Sequence, residues 1–365
     1  MEISKLSKLI TPSGTMAISN KARILREQGK PVIGFGAGEP DFPTPEYVVK
    51  DVQVAAEDTS NHKYSPVAGL TILKEEIVRT SKLYSGINVQ QENILVSNGG
   101  KHAILTTFMS ILNPGDEVLI PSPYWTTYPE AVKISGGNPI IVDTEFDDDF
   151  KVNTDQLDAL KTSKTKILVW VSPSNPTGVV YTKEEAEKIY NWAFENNVWI
   201  LSDELYEHLV YEGMTSPSPA QYDTELNNTI IINGVAKAYS MTGWRVGWII
   251  ANTDVIDMAK KIQSHATSNV SNISQIAAYS ALKNGLNETK IMKESFNRRR
   301  LYAIEEFSNI ENVNLIKSTG AFYLFPDVSY YSSNGVINGV HNSIDFCNWL
   351  LDEYFIAFVP GEVFG

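Results

Sequence analysis

In this 365-residue chain, Thr229-Ile230-Ile231-Ile232 runs into Asn233-Gly234-Val235-Ala236-Lys237, and Arg245 stands eight residues beyond the lysine. A lysine amine can condense with an aldehyde, and an arginine fork can hold a phosphate. Four other apolar runs end in the same abrupt way. Ile94-Leu95-Val96 leads into Ser97-Asn98-Gly99-Gly100-Lys101, and Glu117-Val118-Leu119-Ile120 leads into Pro121-Ser122-Pro123-Tyr124-Trp125. The run 166–171 leads into Ser174-Asn175-Pro176-Thr177-Gly178. Val198-Trp199-Ile200-Leu201 leads into Ser202-Asp203-Glu204, with Tyr206 close behind.

These run ends carry complementary chemistry. A carboxylate such as Asp203 can keep a ring nitrogen protonated, and Asn175 and Tyr206 can donate to a phenolic oxygen. The flat side chain of Trp125 can cover a ring face. Gly99-Gly100 at the start of a helix offers backbone N–H groups to a phosphate, and Arg245 offers a fixed cation. One cofactor uses all of these together: pyridoxal 5'-phosphate, an electron sink held by a lysine as a Schiff base. Each residue alone has a plainer reading. A strand-end lysine is more often a solvated charge, Asp203 suits a helix N-cap, and Trp125 suits a core.

The elements that must position these groups follow from the same pattern. The runs are short, continuous and rich in β-branched residues, which predicts strands buried on both faces of a mainly parallel sheet. Helical patterns lie between them, over 101–112 and after the capping box Thr182-Lys183-Glu184-Glu185, where Ala186, Ile189, Tyr190 and Ala193 share a face. The alternation predicts an α/β fold with helices on both sides of the sheet, and ligands in such folds bind beyond the carboxyl ends of the strands. Past about residue 280 the pattern changes. A long charged helix is expected over 290–310, with Arg298-Arg299-Arg300 as a solvated face. Short strands are expected at 314–316 and 321–325, then a helix over 344–354 and a strand at 356–359. This predicts a smaller α+β domain, 289–365, completed by residues 1–38, beside a large domain over 39–288.

Composition narrows the classes. Hydrophobic residues make up 43% and charged residues 20%, a globular balance. The net charge of −13 and the absence of a basic stretch argue against nucleic acid as a partner. No apolar run approaches the ~20 residues that span a bilayer, so no membrane role is expected, and a cytoplasmic enzyme is the default. The single cysteine, Cys347, excludes an internal disulfide and reads as a small buried hydrophobe. His62, His102, His208, His265 and His341 show no ligand spacing, so no metal is expected.

The segment Asn233 through Gly247, with its lysine-to-arginine step, resembles the cofactor-attachment motif of pyridoxal-phosphate-dependent class I aminotransferases. So do Gly38-Glu39-Pro40-Asp41-Phe42, Lys63-Tyr64, Ser122-Pro123-Tyr124-Trp125, Ser174 to Gly178, Ser202 to Tyr206, and Gly320-Ala321-Phe322-Tyr323, in order along nearly the whole chain. The resemblance is closest to the bacterial and archaeal aspartate aminotransferases. It implies the fold type I architecture: a mainly parallel seven-stranded sheet in the large domain and a smaller α+β domain.

At the matching positions the resemblance implies roles. Lys237 forms the Schiff base and then moves the proton from Cα. Asp203 pairs with the pyridinium, Asn175 and Tyr206 bond the phenolic oxygen, and Trp125 stacks on the ring. Arg245 and the amides of Gly100 and Lys101 hold the phosphate. Tyr64 reaches the phosphate of a partner subunit, which implies a homodimer, and Gly38 approaches the substrate carboxylate. Asn175 and Trp125 also border the substrate. Lys101 either points at the distal carboxylate of an acidic substrate or is an ordinary first-turn residue. Two departures stand out. Ala236 and Gly234 occupy positions where many relatives carry a hydroxyl, and the arginine expected to clamp the substrate α-carboxylate would follow Gly365, where the sequence given ends.

The implied activity is amino-group transfer between an L-amino acid, aspartate first, and a 2-oxo acid, 2-oxoglutarate first. Aromatic amino acids or prephenate are the second choice. A pyridoxal-phosphate-dependent C–S lyase would share the same cofactor residues. A cofactor-sensing regulator of the same fold is the non-enzyme alternative, and it would need an added DNA-binding domain.

Overall fold

The structure is a computed structural model that describes residues 2–12, 14–333 and 335–365. Its centre is a seven-stranded sheet in the order Ile94–Ser97, Gly247–Ile250, Thr229–Gly234, Trp199–Asp203, Thr165–Val171, Glu117–Pro121, Asn138–Val142. All strands run parallel except Gly247–Ile250, which is antiparallel to both neighbours. The α/β fold with a mainly parallel seven-stranded sheet is thus as expected. Two strands, Asn138–Val142 and Gly247–Ile250, were not among the apolar runs singled out in the sequence. The first is only partly buried at the sheet edge, and the second begins with a glycine.

The inner strands are buried on both sides, and alternate residues enter different cores. Ile230 and Ile232 pack with Ala103, Ile104 and Phe108 of helix Gly100–Ile111, and with Ala131 and Val132 of helix Thr127–Ile134. Ile231, between them, packs with Leu73 and Ile77 of helix Thr71–Thr80 and with Ala277 and Ala281 of helix Asn272–Asn284. Farther along, Leu168, Trp170 and Ile200 meet Ala186, Ile189 and Ala193 of helix Lys183–Glu195. Each such side chain stabilises the fold by roughly 1.5–3 kcal/mol on burial, which explains the unbroken apolar runs. The expected capping box opens helix Lys183–Glu195: Glu185 N donates to Thr182 Oγ1, and Thr182 N donates to the Glu185 carboxylate.

Two further groups of elements flank the cluster that includes Tyr206. Helix Asn287–Ser308 packs Met292 and Phe296 against Leu205, Tyr206 and Leu209. Helix Gly14–Glu27 places Ile18 and Ala22 against Cys347 and Leu351 of helix Ser343–Tyr354, and strand Ile33–Gly34 pairs in parallel with Ile356–Ala357. Cys347 is buried, and burial pushes its thiol up to about 12.

Two expectations for this region are corrected. Residues 321–325 do not form a strand. Ala321 adopts a left-handed conformation (φ 55°), which breaks extended backbone, and the strand that pairs with Asn314–Leu315 is Pro326–Asp327. Nor is the arginine triplet a solvated face throughout. Arg300 is buried, donates to Ser318 O at 2.6 Å and to Glu212 Oε1 at 2.8 Å, and lies 4.9 Å from the Tyr211 ring centroid. Arg299 bonds Asp41 at 2.8 Å. A helix with one apolar stripe can bury an arginine stem when the guanidinium finds partners at the stripe's edge.

Candidate active site

Strand register gathers the polar run ends. Asp203 pairs with Val171 on one neighbour and with Ile232 on the other. The strands that end in Val171 and Asp203 finish level and Thr229–Gly234 runs two residues past Ile232, so the residues beyond all three share one edge of the sheet. A cavity of about 1310 Å³ opens there, and Gly38, Trp125, Asn175, Asp203, Tyr206 and Lys237 all line it.

Asp203 lies at the cavity floor and is 3% exposed. Its Oδ2 accepts from Tyr128 Oη at 2.7 Å and its Oδ1 from Leu205 N at 3.3 Å. Burial raises the affinity of this carboxyl for its proton, while the Tyr128 bond, the Leu205 amide and the Lys237 charge oppose that. Lys237 donates from Nζ to Gly38 O and stands 5.7 Å from the ring centroids of Tyr206 and Phe322. Burial lowers its pKa to about 8, against the opposing pull of Glu39 and Asp203. An amine so placed is a usable base near neutral pH.

Asn175 Nδ2 and the Tyr206 hydroxyl are 3.5 Å apart, and Tyr206 Oη shares a 2.6 Å bond with Tyr323 Oη. Burial raises the pKa of both phenols, so they are hydrogen-bonding groups and not anions. Trp125 meets Tyr128 edge-on, with centroids 5.7 Å apart, and leaves its own face toward the Lys101 ammonium at 5.0 Å. Partial burial lowers the Lys101 pKa, and the Arg245 charge adds to this.

Beside this cluster, helix Gly100–Ile111 begins after Gly99, whose φ of 82° favours glycine. A Cβ at Gly99 would stand 2.7 Å from Arg245 Nη2, so the arginine lies directly against the glycine backbone. Arg245 is held there by bonds to Thr242 O at 2.8 Å and Asn98 O at 3.4 Å. Behind the turn, Gly247 approaches the Gly100 amide so closely that a Cβ would lie 2.8 Å from its nitrogen. The result is a small cradle of amides and a guanidinium, suited to a phosphate.

Not every residue singled out in the sequence joins the cluster. Gly100, Lys101 and Arg245 stand beside it, outside the cavity lining, and Tyr64 is 91% exposed. Conversely, Tyr128 was not singled out, nor was any role given to Tyr323 or Glu39. Glu39 accepts from Thr242 Oγ1 at 2.8 Å and so ties the Gly38 segment to the turn before Arg245. Tyr128 follows Trp125 by a short step into helix Thr127–Ile134, but nothing in the sequence marks its hydroxyl as buried.

Among the described residues no cluster of His, Cys, Asp and Glu could hold a metal ion, and no helix is long and apolar enough to cross a membrane. The residues present do fit pyridoxal 5'-phosphate. They supply an amine of lowered pKa, a buried carboxylate with donors already on it, and a cradle that a Cβ would fill.

The family model for aminotransferase class I and II matches residues 30–365. An aspartate aminotransferase from Streptomyces avermitilis is 45% identical over 358 residues, 98% of this chain and 88% of that relative. One from Bacillus sp. strain YM-2 is 42% identical over 98% of this chain and 91% of its own length. The crystal structure of the aspartate aminotransferase from Rhizobium meliloti matches with a TM-score of 0.94 at 34% identity, over 100% of this chain and 92% of that one.

Proposed function

The chain belongs to the class I and II aminotransferases, and from that premise we propose that it moves an amino group from L-aspartate to 2-oxoglutarate, in two half-reactions, with pyridoxal 5'-phosphate bound at the carboxyl edge of the sheet. The observation that carries this reading is the convergence of Lys237, Asp203, Asn175 and Tyr206 in one cavity at the ends of three adjacent parallel strands.

When bound, the cofactor withdraws electrons from the substrate Cα. The chain's residues then have separable tasks. Asp203 presents a buried negative charge to the ring nitrogen, and Asn175 and Tyr206 donate to the phenolic oxygen. Trp125 covers the ring, while Arg245 and the amides of Gly100 and Lys101 hold the phosphate. Lys237, with a pKa near 8, takes the proton from Cα and returns it nearby. Gly38 borders the substrate, and in the unloaded protein its carbonyl accepts from the lysine amine. Lys101, poised over the Trp125 face, supplies a cation for the distal carboxylate, which supports aspartate as the donor. Tyr64, almost wholly exposed, supports a homodimer in which it serves the neighbouring site.

The test is a half-reaction screen of purified, cofactor-loaded protein with single amino acids. Aspartate should bleach the bound cofactor's absorbance and yield oxaloacetate, and 2-oxoglutarate should then restore the band and yield glutamate. Release of ammonia and pyruvate without glutamate would favour a lyase. A stronger response to aromatic donors would move the specificity away from aspartate.

A further inference from the structure

We propose that Tyr128 is a positioning residue for Asp203: its hydroxyl fixes one carboxylate oxygen from beneath, so that the carboxylate meets the cavity in a single orientation and in its ionised form. The proposal rests on the reading of Asp203 as the group that faces the cofactor ring.

Tyr128 is 1% exposed and Asp203 is 3% exposed, so their 2.7 Å bond is closed to water. A hydroxyl donating to a carboxylate in such a place is a strong, directional contact. The other bond to Asp203 is weaker in geometry, from the Leu205 amide at 3.3 Å. Tyr128 therefore determines how the carboxylate is turned. The same ring meets Trp125 edge-on, so one side chain braces both the carboxylate and the plate that covers the cavity.

The groups around Asp203 come from every neighbouring element. Lys237 faces it from the segment after strand Thr229–Gly234, Tyr206 and Glu204 from its own turn, Tyr323 from the segment after Gly320, and Tyr128 from helix Thr127–Ile134. Among the described groups that act on Asp203, Lys237 is the cation, and the lysine must give up that position when it works on a substrate. Burial favours the protonated acid, and the Tyr128 hydroxyl is the largest influence against it. Because it does not depend on where Lys237 stands, this hydroxyl opposes protonation of Asp203 whether or not the lysine amine is near.

The sign of the effect follows. Removing the donor raises the pKa of Asp203, so the charged carboxylate is lost at a higher pH on acidification. The experiment titrates pyridoxal 5'-phosphate into unloaded parent, Tyr128→Phe and Asp203→Asn proteins across the acid range, with melting temperature measured alongside. In Tyr128→Phe the acid limb of cofactor affinity should move up by about one pH unit, with roughly tenfold weaker binding within that limb. The kcat should fall while KM for aspartate stays close to that of the parent. A variant with the parent's acid limb and only a lowered melting temperature would show that Tyr128 is a packing residue and overturn the proposal.

Asp203→Asn separates the two ideas. It should lack the limb entirely, and if it keeps the parent's limb, the reading of Asp203 fails and takes this proposal with it. A second measurement does not depend on the fold of Tyr128→Phe. The infrared carboxylate band that disappears in Asp203→Asn should be that of an ionised group in the unloaded parent at neutral pH. A protonated carbonyl band there would also overturn the proposal.

Discussion

The side-chain amine of Lys237 donates to the main-chain oxygen of Gly38, a residue 199 positions earlier in the chain. The bond joins the strand-end lysine to the segment that leads into the site from the N-terminal side, and Glu39 reinforces it through Thr242.

This placement has a consequence for stability in the unloaded protein. Burial lowers the Lys237 pKa from 10.5 to about 8. Between those values the unfolded chain holds the proton and the folded one does not, so the stability contribution rises with pH over that window. It is fully present above 10.5 and is lost as pH falls through about 8. The parent should therefore gain melting temperature relative to Lys237→Met as pH rises across this window. A constant difference between the two proteins would contradict the burial of the amine.

Asp203→Asn keeps the side-chain shape and removes its charge. The kcat for aspartate should fall by at least about a hundredfold, each factor of ten corresponding to about 1.4 kcal/mol. Cofactor affinity at neutral pH should fall less, since the phosphate cradle is intact. Steady-state kinetics beside a cofactor titration checks both, and near-parental turnover would remove Asp203 from the mechanism.

Gly99→Ala adds a Cβ where φ is 82° and where Arg245 Nη2 would be 2.7 Å away. A backbone at φ 82° and ψ 170° is open essentially to glycine alone and should cost alanine about 1–3 kcal/mol of stability. Displacement of the guanidinium should weaken phosphate-containing ligands by on the order of tenfold while affecting pyridoxal without its phosphate much less. Binding titrations with the two compounds make the comparison.

Arg300 and Arg298 are close neighbours on one helix and should behave oppositely. Arg300→Met leaves the buried Ser318 carbonyl without its donor, while Glu212 keeps Lys317, and should destabilise the protein by about 1–3 kcal/mol in denaturant unfolding. Arg298 is exposed, and Arg298→Ala should stay within about 0.5 kcal/mol of the parent. The folded fraction of either variant should keep its kcat.

Tyr64 is 91% exposed, and its proposed task lies across a two-fold interface. Tyr64→Ala and Lys237→Ala, each strongly impaired alone, should regain partial activity when unfolded together and refolded. Homogeneous full activity in a sedimenting monomer would defeat the shared-site reading.

Much of this molecule was legible in the sequence because the signals are local. An unbroken run such as Thr229 to Ile232 has to be buried on both faces, and a turn rich in Gly, Asn and Ser must follow it. Those facts predict a parallel α/β sheet with polar residues at its carboxyl edge, and Lys237, Asp203, Asn175 and Tyr206 could be named from them. The edge strand Asn138–Val142, which opens with Asn-Pro and is only partly buried, and the antiparallel strand Gly247–Ile250, which opens with a glycine, were harder. What only the tertiary structure decided were pairings between segments far apart in the chain. No spacing rule shows that Tyr128 donates to Asp203, that Arg300 leaves the solvated face to reach Ser318 and Glu212, or that Gly38 takes the Lys237 amine. A side chain's type states which bonds it can make. Which of them it makes depends on burial, since water competes for every polar group until the fold removes it.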